Sequence, residues 1–289
     1  MSSPFAWRKE ERKIDLIPSI PFFTVHLACL LVFETGTSWV AVIVCVATYF
    51  LRAFGLTAGF HRYFSHRSFK TSRFFQFILG FLGTSAAQMG PIWWADHHRW
   101  HHQAADTEQD VHSPARHGFL WAHLGWVLCM KNYRDKERMY AKEWKAFPEL
   151  VWLDNHPLVP PVILVLAMFS LGAGLEVWMP DLGTNGLQMM VWGYFISTVF
   201  VYHNTFAVNS ICHLFGTRRF ETKDTSRNNF WVALLTMGEG WHNNHHRYPS
   251  LARQGLTWWE VDASYVLLRL LARGRIVWDL RLPANTTAD

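Results

Sequence analysis

Hydrophobic positions in this chain collect into long runs instead of alternating with polar ones. One run extends from about Ile17 to Phe33, and a short polar turn, Glu34 to Ser38, joins it to a second from Trp39 to about Gly59, interrupted only by Arg52. A second pair covers about Leu158 to Leu175 and Leu187 to Ala207, with Trp178 to Gly186 between them. Each run approaches the roughly 20 residues that a helix needs to cross a bilayer. The pattern predicts an all-α membrane protein with four transmembrane helices arranged as two hairpins. Phe74 to Ala95 also lacks any charged residue, but Gln76, Thr84, Ser85 and Gln88 make it a poor lipid-facing helix, so a buried or re-entrant segment is expected there. The stretches Phe119 to Met130 and Tyr265 to Leu271 are too short to span. They fit interfacial or core helices, with Trp121 and Trp126 as anchors.

Charge sharpens this picture. No Lys or Arg occurs from Ile14 to Leu51 or from Ala146 to Thr217, whereas Arg8, Lys9, Arg12 and Lys13 precede the first run. By the positive-inside rule the N terminus then faces the cytoplasm, and with four spans the segment 60–156 and the tail 208–289 share that side. The N terminus lacks a signal-peptide layout, so the first span is expected to remain in the mature protein. Among 289 residues, half are hydrophobic and 17% charged, which excludes a disordered chain. Four scattered cysteines offer neither a disulfide framework nor a metal knuckle and read as small buried hydrophobes. Without repeats or linkers, residues 1–289 read as a single integral-membrane domain, with membrane lipid around it and nothing pointing to nucleic acid.

The unusual quantity is histidine. Clusters stand at His61 and His66, at His98, His101 and His102, and at His242, His245 and His246, with His213 four residues after Asn209. On a helix, positions i, i+3 and i+4 share a face, so each HxxHH box aims imidazoles at a common point. Adjacent residues diverge by about 100°, so one box serves two metals, and a dinuclear centre follows. A lone histidine on an apolar face is usually an ordinary hydrogen-bonded residue, and His26, His117, His123, His156 and His203 are read that way. His97 offers an alternative register for the second box, and His112 a supporting partner; for both the non-ligand role is favoured. Imidazole suits zinc, copper, iron and nickel. Nine neutral ligands exceed what one tetrahedral zinc uses, and two metals of higher coordination with an open site account for them better. If all nine converge, Phe74 to Ala95 cannot cross the membrane. Ligating histidines donate their other nitrogen to an acceptor, and Asp96, Asp106, Glu108, Asp110 and Glu239 are the nearest carboxylates.

In these motifs the chain resembles the membrane fatty acid desaturases, specifically the delta-9 acyl-CoA (stearoyl-CoA) desaturase branch and its bacterial and plant acyl-lipid relatives. The matching text is Gly55 to Phe69 (GLTAGFHRYFSHRSF), His98 to His102 followed by Asp106 to Pro114, Asn209 to Gly216 (NSICHLFG), and Gly238 to His246 (GEGWHNNHH). The resemblance implies four spans with a cytosolic helical cap, in a bacterial inner membrane or the endoplasmic reticulum, with both termini and the active site cytosolic. It implies two iron ions bound by His61, His66, His98, His101, His102, His213, His242, His245 and His246, with Asn209 reaching one through water. Asp106, Asp110, His112 and Glu239 are the supporting candidates. The activity implied is O2-dependent insertion of a cis double bond, delta-9 in this branch, into a long-chain fatty acyl group lying in an apolar tunnel. Removing hydrogen from an unactivated methylene needs an oxidant stronger than any side chain, which fits a metal cofactor. In the animal acyl-CoA enzymes a basic residue stands where this chain has Asp96, so acyl-CoA and acyl-lipid substrates both stay open, with Arg116, Arg218 and Arg219 as candidate phosphate contacts. No haem-binding segment of the fused cytochrome type is present, so a separate electron donor such as cytochrome b5 or a ferredoxin is expected. A membrane fatty acyl hydroxylase on the same site is the alternative reading. A metal transporter would place more charge inside the spans, and a zinc hydrolase would need fewer ligands.

Overall fold

The computed structural model describes residues 13–131 and 140–283, and it is helical with one two-residue strand pair. Arg8, Lys9 and Arg12, on which the orientation reading leans, lie outside the described residues. Helix α1 is Ile20–Thr35 and α2 is Trp39–Ser65. The cap region contributes α3 (Arg73–Ser85), α4 (Pro91–Ala104) and α5 (Pro148–Asn155). Helix α6 is Val159–Trp178, and α7 runs over 186–210 and ends in a 3₁₀ turn, Ile211–His213. The short helices α8 (Phe230–Leu235) and α9 (His242–Arg247) and the amphipathic α10 (Ala263–Arg273) complete the set.

The starts of these helices follow from their first residues. Ser38, Ser72, Asn185, Asn229 and Asp262 each accept a backbone N–H from the first turn of the helix that follows. Pro91 and Pro148 open α4 and α5, where a missing N–H costs nothing. Strands β1 (Lys70–Thr71) and β2 (Val277–Trp278) pair antiparallel and tie the C-terminal segment to the chain just after the first histidine pair.

Two helices, α2 and α6, are long and apolar enough to cross a membrane by length and composition. Helix α1 is apolar, but its 16 residues rise only about 24 Å. Helix α7 is long, yet Ser197, Thr198, His203, Asn204 and Thr205 dilute its apolar character. Those residues belong largely to the packed side of the helix, with Ser197 and Thr198 fully buried. Leu27 and Phe33 on α1, Ile43 and Leu51 on α2, and Ile163, Leu166 and Val177 on α6 are exposed. Exposed apolar surface on this scale marks a membrane or protein contact.

Segment Phe74 to Ala95 does not form one long helix. Helix α3 spans 13 residues, about 20 Å, and the chain turns through Ala86 to Gly90 before α4 begins. It packs on α2 with Gln76, Leu79, Thr84 and Ser85 buried, as a protein-covered segment should. The approach is close because a Cβ on Gly55 would lie 2.5 Å from the backbone nitrogen of Gly83. Trp121 and Trp126 turn inward instead of anchoring at an interface: Trp121 Nε1 donates to the Val111 carbonyl at 2.9 Å, and Trp126 packs on His112 with ring centroids 5.0 Å apart.

Substituting Gly55 by Val should force α2 and α3 apart and lower stability by about 1–3 kcal/mol, whereas Val162→Ala on the exposed face of α6 should change little. Thermal melting in one detergent checks both, and a Gly55→Val protein that melts like the parent would contradict the packing.

Candidate metal centre

Box one has the spacing HxxxxH, which on an α-helix would put His61 and His66 about 140° apart. The helix solves this locally: from Gly55 to Ser65 it widens into a π-helix, and His66 N–H bonds the His61 carbonyl at 3.2 Å in an i to i+5 turn. All eleven residues of that segment are buried. Such wide turns recur at functional sites. Box two lies on the last turns of α4, box three forms α9, and His213 occupies the 3₁₀ turn that ends α7.

The nine imidazoles separate into two sets. His61, His66, His98, His102 and His245 form one, and His101, His213, His242 and His246 the other. Both HxxHH boxes divide between them, His101 from His102 and His245 from His246, as their angular divergence predicts. In the first set Nε2 atoms approach at 3.0 Å (His61 and His245), 2.8 Å (His245 and His102), 3.0 Å (His102 and His98) and 2.9 Å (His98 and His66). In the second, His242 Nε2 lies 3.1 Å from that of His213 and 3.0 Å from that of His246.

Four of the rings turn their other nitrogen to an acid. His61 Nδ1 pairs with Glu239, His213 Nδ1 with Asp106 at 3.1 Å, and His246 Nδ1 with Asp224 at 2.8 Å, while His101 Nδ1 lies 3.4 Å from Asp110. Burial alone would raise these carboxyls, but the facing imidazoles and hydrogen bonds hold Asp106, Asp110, Asp224 and Glu239 below the usual carboxylate range. Burial, and then mutual repulsion, holds His66, His98, His102, His242 and His245 well below the ordinary histidine value. Burial likewise brings His246 to about 4 and His112 to about 3. At neutral pH these rings are uncharged.

This arrangement fits metal. Rings whose Nδ1–H points at a carboxylate carry a lone pair on Nε2, so His242 Nε2 faces two lone pairs, those of His213 and His246, and its single proton serves at most one. A Lewis acid among the nitrogens satisfies them together. For imidazoles bound at about 2.0–2.1 Å, right-angled ligands lie about 2.9 Å apart and tetrahedral ones about 3.3 Å. The observed 2.8–3.1 Å matches the former and a coordination number above four.

Both sets border one cavity of about 420 Å³, whose wall includes His61, His98, His112, His242 and Asn209. Asn209 stands outside the nitrogen sets, one turn before His213. His97 is also outside them, stacked on Trp93 at 3.8 Å with Nδ1 donating to its carbonyl. His112 groups with His101 and Asp110. Asp96 accepts from Ala141 N–H at 2.8 Å, and Glu108 is exposed. The expected phosphate contacts are occupied internally. Arg219 pairs with Glu260 at 3.0 Å, Arg218 bonds the Asp224 carbonyl, and Arg116 bonds the Asp106 carbonyl.

Sequence reasoning missed Asp224, which sits in a polar loop with no spacing to mark it. It also missed the residues inside the boxes that fasten them. Arg62, 1% exposed, holds Glu239 at 3.1 Å and Asp262 at 2.9 Å. Arg99 donates to the carbonyls of Phe64 and Ser65, binding box two to box one. Asn243 Oδ1 accepts the N–H groups of Arg219 and Phe220, and Asn244 Nδ2 donates to the Gln254 carbonyl. The signal was their place beside or between proposed ligands.

The chain is similar to known proteins over most of its length. The family model for fatty acid desaturase matches residues 37–277. The chain is 39% identical over 268 residues to the sn-1 stearoyl-lipid 9-desaturase of Synechocystis sp., covering 92% of this chain and 80% of that protein. It is 37% identical to the sn-1 stearoyl-lipid 9-desaturase of Anabaena variabilis, covering 90% and 91%. To Delta-9 acyl-lipid desaturase 1 of Arabidopsis thaliana it is 32% identical, covering 97% and 88%.

Two outcomes test the centre. His213→Ala removes a nitrogen from one set only and should leave metal bound by the other, so bound metal measured by elemental analysis should fall by about half; unchanged metal content would refute the two-set assignment. Secondly, below about pH 6.5 an unfolded chain protonates histidines that the native site keeps neutral. Their contribution is therefore present above that value and lost as pH falls, while the depressed carboxylates matter only below about pH 4. The metal-free protein should melt lower at pH 5.5 than at pH 7.5, and an equal melt would show that the cluster takes up protons when folded.

Proposed function

The chain belongs to the fatty acid desaturase family, and we propose on that footing that it uses O2 to insert a cis double bond, at the delta-9 position, into a long-chain acyl group carried by a lipid. The observation that carries this reading is the juxtaposition of two histidine sets with one apolar cavity running between α1, α2 and α7. Two iron ions held by the nine histidines, with O2 and electrons from a separate carrier such as cytochrome b5 or a ferredoxin, supply an oxidant able to attack an unactivated methylene. The chain's own residues do the rest. Leu56, Phe22 and Val201 give the acyl chain an apolar wall, and Trp94, stacked on His98 at 5.0 Å, closes it against water beside the first set. Glu239, Asp106, Asp110 and Asp224 keep the imidazoles turned inward. On this reading Asn209, one turn before His213 and on the cavity wall, reaches the second set through water.

A lipid-linked substrate is favoured over a CoA ester by the names of the three relatives. No Lys or Arg lines the cavity among the described residues, and Asp96 is turned to a loop. For the membrane we propose four spans, α1, α2, α6 and α7, with the termini and the histidine sets on the cytosolic side. The shortness of α3 supports this, because it leaves boxes one and two on one face of the bilayer.

Expression in a host lacking its own delta-9 desaturase, with a compatible electron donor, should yield new cis-9 monounsaturated acyl chains in the lipid extract, and His245→Ala should reduce them to background. An unchanged profile from folded, iron-loaded protein would overturn the reading, and a hydroxylated chain would assign the hydroxylase instead.

A further inference from the structure

Three histidines outside both sets form a chain of their own. His26 of α1, His203 of α7 and His123 of the π-turn Trp121–Gly125 meet with His26 Nε2 3.1 Å from His203 Nε2 and His203 Nδ1 3.0 Å from His123 Nε2. One end is His26 Nδ1, 2.8 Å from the Phe22 carbonyl; the other is His123 Nδ1, 2.9 Å from Ser210 Oγ.

The Phe22 carbonyl can only accept, which assigns every hydrogen. His26 carries its proton on Nδ1, so its Nε2 accepts from His203 Nε2–H. His203 Nδ1 then accepts from His123 Nε2–H, and His123 Nδ1 from the Ser210 hydroxyl. Ser210 Oγ also lies 2.8 Å from the Phe206 carbonyl. When the hydroxyl turns there, its oxygen accepts from His123 Nδ1–H, each bond between the rings reverses, and His26 holds both protons. The chain thus has two fully bonded states that differ by one proton.

Its surroundings suit transfer more than storage. Tyr202, with its ring 6.4 Å from that of His26 and its hydroxyl bonded to the Ala87 carbonyl, is the titratable group facing the chain besides its own members. No carboxylate or basic side chain of the described residues bonds it. Burial, and then His203, push His123 below the ordinary histidine value, so the neutral state is the resting one. Phe22 and Phe206 line the cavity, as does Asn209 next to Ser210. Histidine chains within membrane helices commonly mark proton paths.

We propose that His26, His203 and His123 are a proton relay that ends at Ser210, next to Asn209 of the cavity wall. This rests on the desaturase reading. There, R–CH2–CH2–R′ + O2 + 2 e⁻ + 2 H⁺ gives R–CH=CH–R′ + 2 H2O, so every turnover draws two protons from outside the buried site. A proton on His26 moves to His203 Nε2, the His203 Nδ1 proton to His123 Nε2, and the His123 Nδ1 proton to Ser210 Oγ, whose own hydroxyl proton turns from the Phe206 carbonyl and passes to a water on the Asn209 side of the cavity, as hydronium.

The test uses metal-free full-length protein, labelled with ¹⁵N-histidine, in lipid nanodiscs. NMR at about pH 8 should show His26 as the Nδ1–H tautomer and His203 and His123 as Nε2–H. On acidification the three should titrate together in one one-proton step, which His203→Gln should split. An Nε2–H form at His26, or three independent titrations in the parent, would overturn the relay, and these parent spectra decide the matter even if His203→Gln does not fold. In iron-loaded enzyme, His203→Gln should keep its iron but form at least about threefold fewer double bonds per electron pair, and unchanged coupling would count against delivery. If the parent makes no unsaturated product, the desaturase reading fails, while the NMR result still judges the chain.

Discussion

Neutral imidazoles brought within 3 Å of one another repel unless something accepts their lone pairs, and much of the structure serves that constraint. A ring is held in its orientation when its second nitrogen has an acceptor, which is the part played by Glu239, Asp106 and Asp224. A buried carboxylate creates its own problem. Glu239 and Asp262 are met by Arg62, whose guanidinium also bonds the Ala252 carbonyl at 2.7 Å. Such a network adds little net stability, but removing one partner leaves a buried charge uncompensated, at about 3–5 kcal/mol. Its role is to keep His61 aimed.

The same constraint explains the irregular backbone. The boxes come from segments far apart in sequence, and each needs a local departure from the α-helix or an outside tether. The π-helix from Gly55 to Ser65 brings His61 and His66 together. Because α3 turns back after Ser85, Arg99 can reach the box-one carbonyls. At box three the two asparagines between His242 and His245 fasten the flanking loops, with Asn228 Nδ2 bonding Asn244 Oδ1 at 2.8 Å. A box is therefore a ligand set interleaved with its own supports.

Only part of this organisation is legible in the amino-acid sequence. The ligand pattern is, because i, i+3 and i+4 spacing survives in any helix, and so is the division of each HxxHH box between two sets. Asp106, Asp110 and Glu239 are legible as acids near the boxes. Asp224 is not, since its partner His246 is 22 residues away and only folding closes that distance. The inward turn of Trp126 is hidden for a similar reason: an aromatic beside an apolar run looks the same whether it meets lipid or His112. His26, His123 and His203 each look ordinary because no short spacing connects them.

The long apolar helices show how far hydropathy separates scaffold from site. Arg52 interrupts an apolar run but is buried in protein: its Nη1 donates to Thr198 Oγ1 at 2.7 Å and its Nε to the Thr48 carbonyl at 3.2 Å, so it joins α2 to α7. Thr48 bonds the Gly193 carbonyl across the same seam at 2.9 Å. Polar side chains that weaken the hydropathy of α7 are thus what hold it against α2, and Tyr194 and Val201 on the same helix line the cavity. The least apolar of the long helices is the one that joins the others to the histidine sets, because it runs into the turn that carries His213.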